Sequence, residues 1–336
     1  MNSHDIRENF GLTKRVIAAA FLSQYLFCGA SASFISTAER TNPSPSQQND
    51  PKIGAPNEKI LATALAGSSY QIEYRVVENG LDLLYPPADI SSRNALSRTD
   101  GYWKFIAKGE EPPLHFTYGE FDVSFFTKLL NRAEELFDGD RNGWEGKVFA
   151  DFGSGAGRLV MAAAALNPEW KLCKGIEVLP GIHQLAEENA EKCRVGINQF
   201  KLQVPAGLLE DGISMAPLEF ICGSFEDPQL QIGDVDCVFC FSSCMPDGVV
   251  EMVSRAVGCG CREGTLVITT DYQLPLHGYV PPKNEMQFPS GTYEFELLDS
   301  VDGECKVVGG TSTAYIHRLV KSVRTDKWKS VLQKRI

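Results

Sequence analysis

The sequence predicts an α/β fold, with a mostly parallel, doubly wound sheet closed by an antiparallel strand pair. Three observations carry this. Strand-like and helix-like segments alternate from Val148 to Thr270, a glycine-rich turn joins the first strand of that series to its helix, and two strand-like runs close the chain. Alternation of this kind is the signature of a parallel sheet with helices on both faces.

Val148 to Asp151 reads as a short buried strand, and Arg158 to Leu166 as an alanine-rich helix stopped by Pro168. Leu172 to Glu177 is the next strand. Ile182 to Cys193 is a helix, with Ile182, Leu185 and Ala186 on one face. Phe220 to Cys222, Val235 to Phe241 and Leu266 to Thr270 are apolar runs of strand length, and Val249 to Val257 is the helix between the last two. Tyr293 to Leu298 and Thr313 to Leu319, joined by a segment ending Gly309-Gly310, form the antiparallel pair. Tyr272 to Gly291, with four prolines, has the length and irregularity of a lid.

Ahead of this region the chain changes character. Lys14-Arg15, apolar Val16 to Cys28 and Ala30-Ser31-Ala32 follow the charged, hydrophobic, small-residue order of a secretory signal, so residues 1–32 are expected to be a targeting segment cleaved after Ala32. An amphipathic first helix is the alternative. The stretch is short and interrupted by Ser23 and Gln24, so no stable membrane span is expected in the mature chain. Residues 33–59 are rich in Ser, Thr, Pro, Asn and Gln and read as a disordered linker. A signal followed by a Ser-rich, acid-poor segment resembles the two-part presequences of complex plastids. Destination therefore divides between a secretory or plastid route and the cytoplasm or nucleus. Residues 60–146 are expected to be a helical and irregular part that supplies a covering loop, and residues 147–323 the α/β domain.

Composition narrows the function classes. Of 336 residues, 43% are hydrophobic and 22% charged, enough for a sizeable core. The net charge of −11 disfavours a broad phosphate-tracking surface, so strong nucleic-acid binding is not expected. Ten cysteines are many for this length, but Cys222, Cys237 and Cys240 fall in apolar runs, where a free thiol acts as a small hydrophobe. Cys259-Gly260-Cys261 is too tight for metal-ligand spacing and has no second pair, so no metal is expected.

The chemistry concentrates after the first strand. Gly153, Gly155 and Gly157 let the backbone turn sharply and approach a ligand where side chains would clash, and the following helix offers its N-terminal amides. A dinucleotide fingerprint would need glycine at position 158, which is Arg158. Glu177 lies twenty residues beyond Gly157, at a strand end, where a carboxylate accepts both hydroxyls of a ribose; a solvated strand-end acid is the alternative. In Cys222-Gly223-Ser224-Phe225 a strand end puts Ser224 by an adenine edge and Phe225 against its face, unless Phe225 is core.

Together Phe116-Thr117-Tyr118-Gly119-Glu120, Asp151-Phe152-Gly153-Ser154-Gly155-Ala156-Gly157, Gly175-Ile176-Glu177 and Arg262-Glu263-Gly264-Thr265 resemble the catalytic domain of the non-SET histone-lysine methyltransferases named for disruption of telomeric silencing. Val308 to His317 is similar too, and the resemblance runs from about Pro113 to Val320. It implies a Rossmann-like class I methyltransferase with S-adenosylmethionine as cofactor. It also implies that Asp151 and Ser154 meet the methionine end with the three glycines, that Tyr118 and Glu120 fold over that end, and that Cys240 lies with the cofactor. Phe241, Ser242 and Tyr315 are implied at the acceptor, with core packing as the alternative for the two aromatics.

The departures are specific. Cys240-Phe241-Ser242-Ser243 stands where the family carries an asparagine pair lining the lysine channel, Ser224 replaces an adenine-binding Asp, Arg158 replaces a Gln, and Ala314-Tyr315 keeps one of two tyrosines. A basic nucleosome-docking segment is not evident. The expected activity is methyl transfer to a protein side chain of the lysine type, with a small metabolite as the alternative acceptor. A non-catalytic cofactor-binding relative is a third class, against which the intact glycine turn and Glu177 argue.

Overall fold

The computed structural model describes residues 69–113, 116–137, 143–195, 215–227, 229–230, 232–243, 245, 247–281, 290–305 and 310–324. All lie within the compact unit Glu58–Ile336. The expected targeting segment and linker lie outside the described residues.

Among the described residues eight strands form one sheet: β1 (Val148–Phe152), β2 (Leu172–Glu177), β3 (Leu218–Cys222), β4 (Cys237–Cys240), β5 (Leu266–Thr270), β6 (His277–Val280), β7 (Gly291–Cys305) and β8 (Gly310–Lys321), in the order β3-β2-β1-β4-β5-β8-β7-β6. The first five are parallel, and β8, β7 and β6 each join antiparallel to the neighbour before them. Strand order reverses between β1 and β4. The crevice at their carboxyl ends is where a doubly wound sheet places its ligand.

The helices are α1 (Ser69–Leu84), α2 (Ile90–Arg98), α3 (Lys104–Lys108), α4 (Val123–Leu136), α5 (Arg158–Leu166), α6 (Pro180–Val195) and α7 (Asp247–Gly260). In α5, residues Leu159 to Ala165 are all buried. A run of alanines is strongly helix-forming, and its small side chains let a helix be enclosed on every side. On α4 the Asp122 side chain caps the first turn by accepting from the N–H groups of Ser124 (2.9 Å) and Phe125 (3.1 Å), a contribution of about 1 kcal/mol. The apolar face of α4 sets Phe126 against Phe239 of β4 (5.0 Å between ring centres) and Phe149 of β1 (6.0 Å).

The long first part is continuous with this core. Val77 and Leu81 of α1, with Tyr85 after it, belong to the same buried cluster as α4 and α5. The Tyr85 hydroxyl donates to the carbonyl of Ala156, in the glycine turn, at 2.7 Å.

Two differences from the sequence expectation have physical causes. The closing pair is three strands, because His277–Val280 pairs with Gly291–Glu294 and forms the sheet edge, while Leu274 and Val280 bury against the core shared with α7. Within the segment expected to be a lid, no described residue lines the ligand cleft set out below. β7 also extends to Cys305, since Asp299 to Cys305 pair with Gly310 to Ile316. Its polar residues lack the apolar alternation by which such a strand would show itself. Cys222, expected buried, is exposed, whereas Cys237 and Cys240 are buried.

Phe239 is wholly buried, with Phe126 on it and Phe121 at 5.4 Å. Phe239→Ala is expected to cost about 3–5 kcal/mol of stability, read as a lower midpoint in chemical denaturation.

Candidate cofactor and acceptor site

The turn between β1 and α5 is built on left-handed backbone: φ is +82° at Gly153, +52° at Gly155 and +81° at Gly157. Each glycine has its own reason. A Cβ on Gly155 would come within 2.8 Å of the Tyr118 ring, and one on Gly157 within 2.6 Å of Phe220 and 3.0 Å of Ala186. Gly155 thus admits the covering loop, while Gly157 admits the packing of α5 and α6 on the sheet.

Glu177 ties this turn to the next strand. Its Oε2 accepts from Gly155 N–H and its Oε1 from Leu179 N–H, both at 2.8 Å. The N–H groups of Gly153 (2.9 Å) and Ser154 (3.1 Å) reach the carbonyl of Ile176. Glu177 therefore shapes the site as well as facing it.

The open cleft beside the turn encloses about 920 Å³ including the solvent space at its mouth. Seven of the sequence-predicted residues line it: Tyr118, Gly153, Gly155, Glu177, Ser224, Phe225 and Phe241. An adjoining smaller cavity is lined by Tyr118, Glu120, Asp151, Gly153, Ser154 and Phe241, together with Arg158. Phe225 is both wall and support, since it stacks on buried Phe152 at 5.2 Å with the rings 5° from parallel. The Ser224 hydroxyl accepts from Glu226 N–H at 3.2 Å.

Four predicted residues do not line either cavity: Gly157, which instead admits the packing of α5 and α6, and Cys240, Ser242 and Tyr315. Cys240 is fully buried on the opposite face of β4 from Phe239, with its sulfur 3.8 Å from that of Met245. Alternation along a strand turns it away where Phe241 turns in. Ser242 is fully buried, and its hydroxyl donates to Thr270 O (2.6 Å) and accepts from Thr270 N–H (2.9 Å). It holds β4 to β5 instead of facing an acceptor. Tyr315 lies on β8 opposite Thr269 of β5, with its ring 6.4 Å from that of His317.

The structure adds residues the sequence did not single out. Ser97 of α2, Met245, Val249 and Met252 line the cleft; Arg158, which the sequence marked as a departure from the resembled family, lines the smaller cavity. Ser97 carried no signal because a serine on a helix reads as solvent face. The apolar residues of α7 read as core.

Burial dominates the electrostatics. Asp151 is 3% exposed and its carboxyl is pushed up to about 8, by burial first and then by the charge of Glu177. Burial also raises Glu177, against the opposing bonds from the N–H groups of Leu179, Gly155 and Val178. Two buried acids side by side are stabilised by a cationic ligand and repelled by an anionic one.

The family comparison agrees with this chemistry. Residues 111–271 match the model of the family described as "Histone methylation protein DOT1". The chain is an S-adenosylmethionine-dependent methyltransferase. Among solved structures, the methyltransferase is similar to an rRNA methyltransferase of Streptomyces viridochromogenes, at 17% identity over 60% of this chain and 86% of that one, with a TM-score of 0.42. It is also similar to an RNA methyltransferase of Salinibacter ruber in complex with S-adenosyl-L-homocysteine, at 19% identity over 58% and 92% of the two chains, with a TM-score of 0.35. No curated protein matches the methyltransferase.

The residues present fit S-adenosylmethionine, which brings a sulfonium and an ammonium to buried carboxylates and a nucleoside to a cleft walled by Phe225 and Ile182. A pH dependence follows. Asp151 keeps its proton to about pH 8 when folded but loses it near 3.8 when unfolded, so over that window the unfolded chain binds fewer protons. Stability through this group is fullest below pH 3.8 and falls as pH rises to about 8. A cationic ligand favours the charged form. Binding of S-adenosylhomocysteine, which keeps the ammonium, is expected to release protons and to tighten up to about pH 8. Calorimetry in buffers of different ionisation enthalpy measures the release, and Asp151→Asn should abolish it. Gly155→Val should lose binding altogether, because the side chain meets Tyr118 at a φ of +52°.

Proposed function

We propose that the protein transfers the cofactor's methyl group to a protein side chain of the lysine type. The observation that carries this reading is the match of residues 111–271 to a family whose description names histone methylation. The bound cofactor supplies an electrophilic methyl on a positively charged sulfur. What the chain must do is hold the partners in line and exclude water.

In this reading the smaller cavity takes the methionine end, with Asp151 and Glu120 toward the ammonium and Gly153 and Ser154 around it, while Gly155 lines the larger cleft. Glu177 takes the ribose, and Ser224 and Phe225 take the adenine. Gly157 serves indirectly, through the packing it permits. Phe241 lines both cavities, and its ring is the nearest side chain to Gly119 of the covering loop. That position suits the wall beside the transferred methyl. An aromatic wall desolvates an incoming amine, and burial lowers an amine's pKa toward the neutral, nucleophilic form.

The acceptor is further narrowed by what surrounds the site. With a net charge of −11, approach to DNA-wrapped histone is opposed by like charge. Phe241 also lacks the amide hydrogen bonds that an asparagine at the channel would make. Free protein acceptors are therefore expected to be labelled well above nucleosomes when both are offered with labelled methyl donor beside a metabolite extract. Label found solely in the low-mass fraction would overturn the protein-acceptor reading in favour of a small metabolite.

Glu177→Ala is expected to weaken S-adenosylhomocysteine binding by about 1–3 kcal/mol, the scale for leaving buried polar partners unpaired. It should lower stability as well, because the N–H groups of Gly155 and Leu179 lose their acceptor. Unchanged affinity by calorimetry would remove Glu177 from the ribose site.

A further inference from the structure

The family match begins at residue 111, yet the loop that covers the cofactor site is held by a helix that precedes it. Arg93 and Ser97 stand one turn apart on α2, on the same face, and both are buried. Arg93 Nε donates to Glu120 Oε1 at 2.6 Å, and Arg93 Nη2 lies 2.5 Å from the same oxygen. The Tyr118 hydroxyl donates to that oxygen too, at 2.9 Å. The Ser97 hydroxyl accepts from Tyr118 N–H at 3.3 Å. The Tyr118 ring in turn occupies the space that a side chain on Gly155 would need.

We propose that Arg93 is a positioning residue for the cofactor: by holding Glu120 it fixes the Tyr118 ring against the glycine turn. The proposal rests on the cofactor reading of the cleft and adds a residue that lines neither cavity. Its physical basis is the geometry at one carboxylate oxygen. Two hydrogen-bond donors, Arg93 Nε and the Tyr118 hydroxyl, converge on Glu120 Oε1 beside the ion-pair contact of Arg93 Nη2, while Oε2 has Arg158 Nε 3.8 Å away. The side chains of Arg93 and Glu120 are 5% and 8% exposed, so solvent does little to screen the pair. Without the guanidinium the carboxylate would be left desolvated beside Asp151, which lines the same cavity as Glu120. The chain would relieve this by moving the loop, and that movement releases Tyr118. Arg93 is itself anchored, since Nη1 donates to Pro86 O at 3.1 Å and the guanidinium lies 5.9 Å from the centre of the Tyr85 ring. Tyr85 bonds the glycine turn from beneath, through Ala156 O. The turn is therefore gripped from both sides by residues of the first helices.

The test is calorimetry of S-adenosylhomocysteine binding to the full chain and its variants. Arg93→Met is expected to weaken binding roughly 10- to 100-fold, the scale of losing a charged hydrogen bond. Arg93→Lys should recover part of that loss, because an ammonium restores a positive charge beside Glu120 but not the planar guanidinium's Nε hydrogen bond. Such rescue would not follow from a merely space-filling role. Ser97→Ala should weaken binding in the same direction by less. Wild-type affinity in a folded Arg93→Met overturns the proposal. If Arg93→Met does not fold, wild-type affinity in both Arg93→Lys and Ser97→Ala overturns it. Absence of binding by the unaltered chain would instead overturn the cofactor reading, and this proposal with it.

Discussion

The glycine turn depends on one carboxylate at the end of the neighbouring strand. Left-handed backbone at three alternate positions leaves amide groups pointing away from any regular ladder, and buried amides must find acceptors. Glu177 supplies one to Gly155 and a second to Leu179, so the β1 turn and the start of α6 share a single anchor. The carbonyl of Ile176 takes the next two amides. Without these bonds α5 would have no fixed starting point, and Phe220 would not find the space that Gly157 and Gly175 leave open.

That anchor has an electrostatic consequence. Glu177 and Asp151 are both buried, and their carboxyl pKa values are raised by burial despite the hydrogen bonds that Glu177 receives. Such a site is under-compensated until a cation enters. Glu120, only a short distance along the covering loop, is in the opposite condition, because Arg93 and Arg158 both lie against it. The two arrangements divide the work: uncompensated acid on the sheet favours the cationic ligand, and compensated acid on the loop keeps the cover in one place. A cover whose own charge were unpaired would be drawn to the ligand but would not be preorganised for it.

Much of the parallel sheet was legible because its signals are local. The ends of α5, β2 and β5 fall where Pro168, the apolar run before Glu177 and the run before Asp271 put them. The glycine turn was legible for the same reason, since only glycine meets its backbone requirement. What escaped depends on pairing or on distant burial. β6 is four residues of weak pattern, made a strand by β7 beside it. Arg93 looks like any exposed helix arginine until Glu120 arrives from twenty-seven residues away. At the end of β4 the resemblance placed Cys240, Phe241 and Ser242 together at the site, but strand alternation and the Thr270 backbone leave only Phe241 lining the cleft.

This last point separates the two halves of the site. The cofactor half is constrained by backbone geometry: positive φ, amides needing acceptors, and a ring that fits only over glycine. Few sequences satisfy those demands, which is why the half is recognisable. The acceptor half has no such demand. Beyond Cys240 the chain needs a residue that turns into the cleft and a residue that pins the strand end to Thr270, and Phe241 and Ser242 meet those needs without any polar group facing the ligand. A wall of that kind sets its selectivity by shape and desolvation instead of by hydrogen bonds. Apolar walls discriminate weakly between acceptors that differ by one methylene, by about 1–3 kcal/mol. In the proposed reading selectivity among acceptors comes from surfaces outside the cleft, and the chain as a whole brings a net charge of −11 to every encounter.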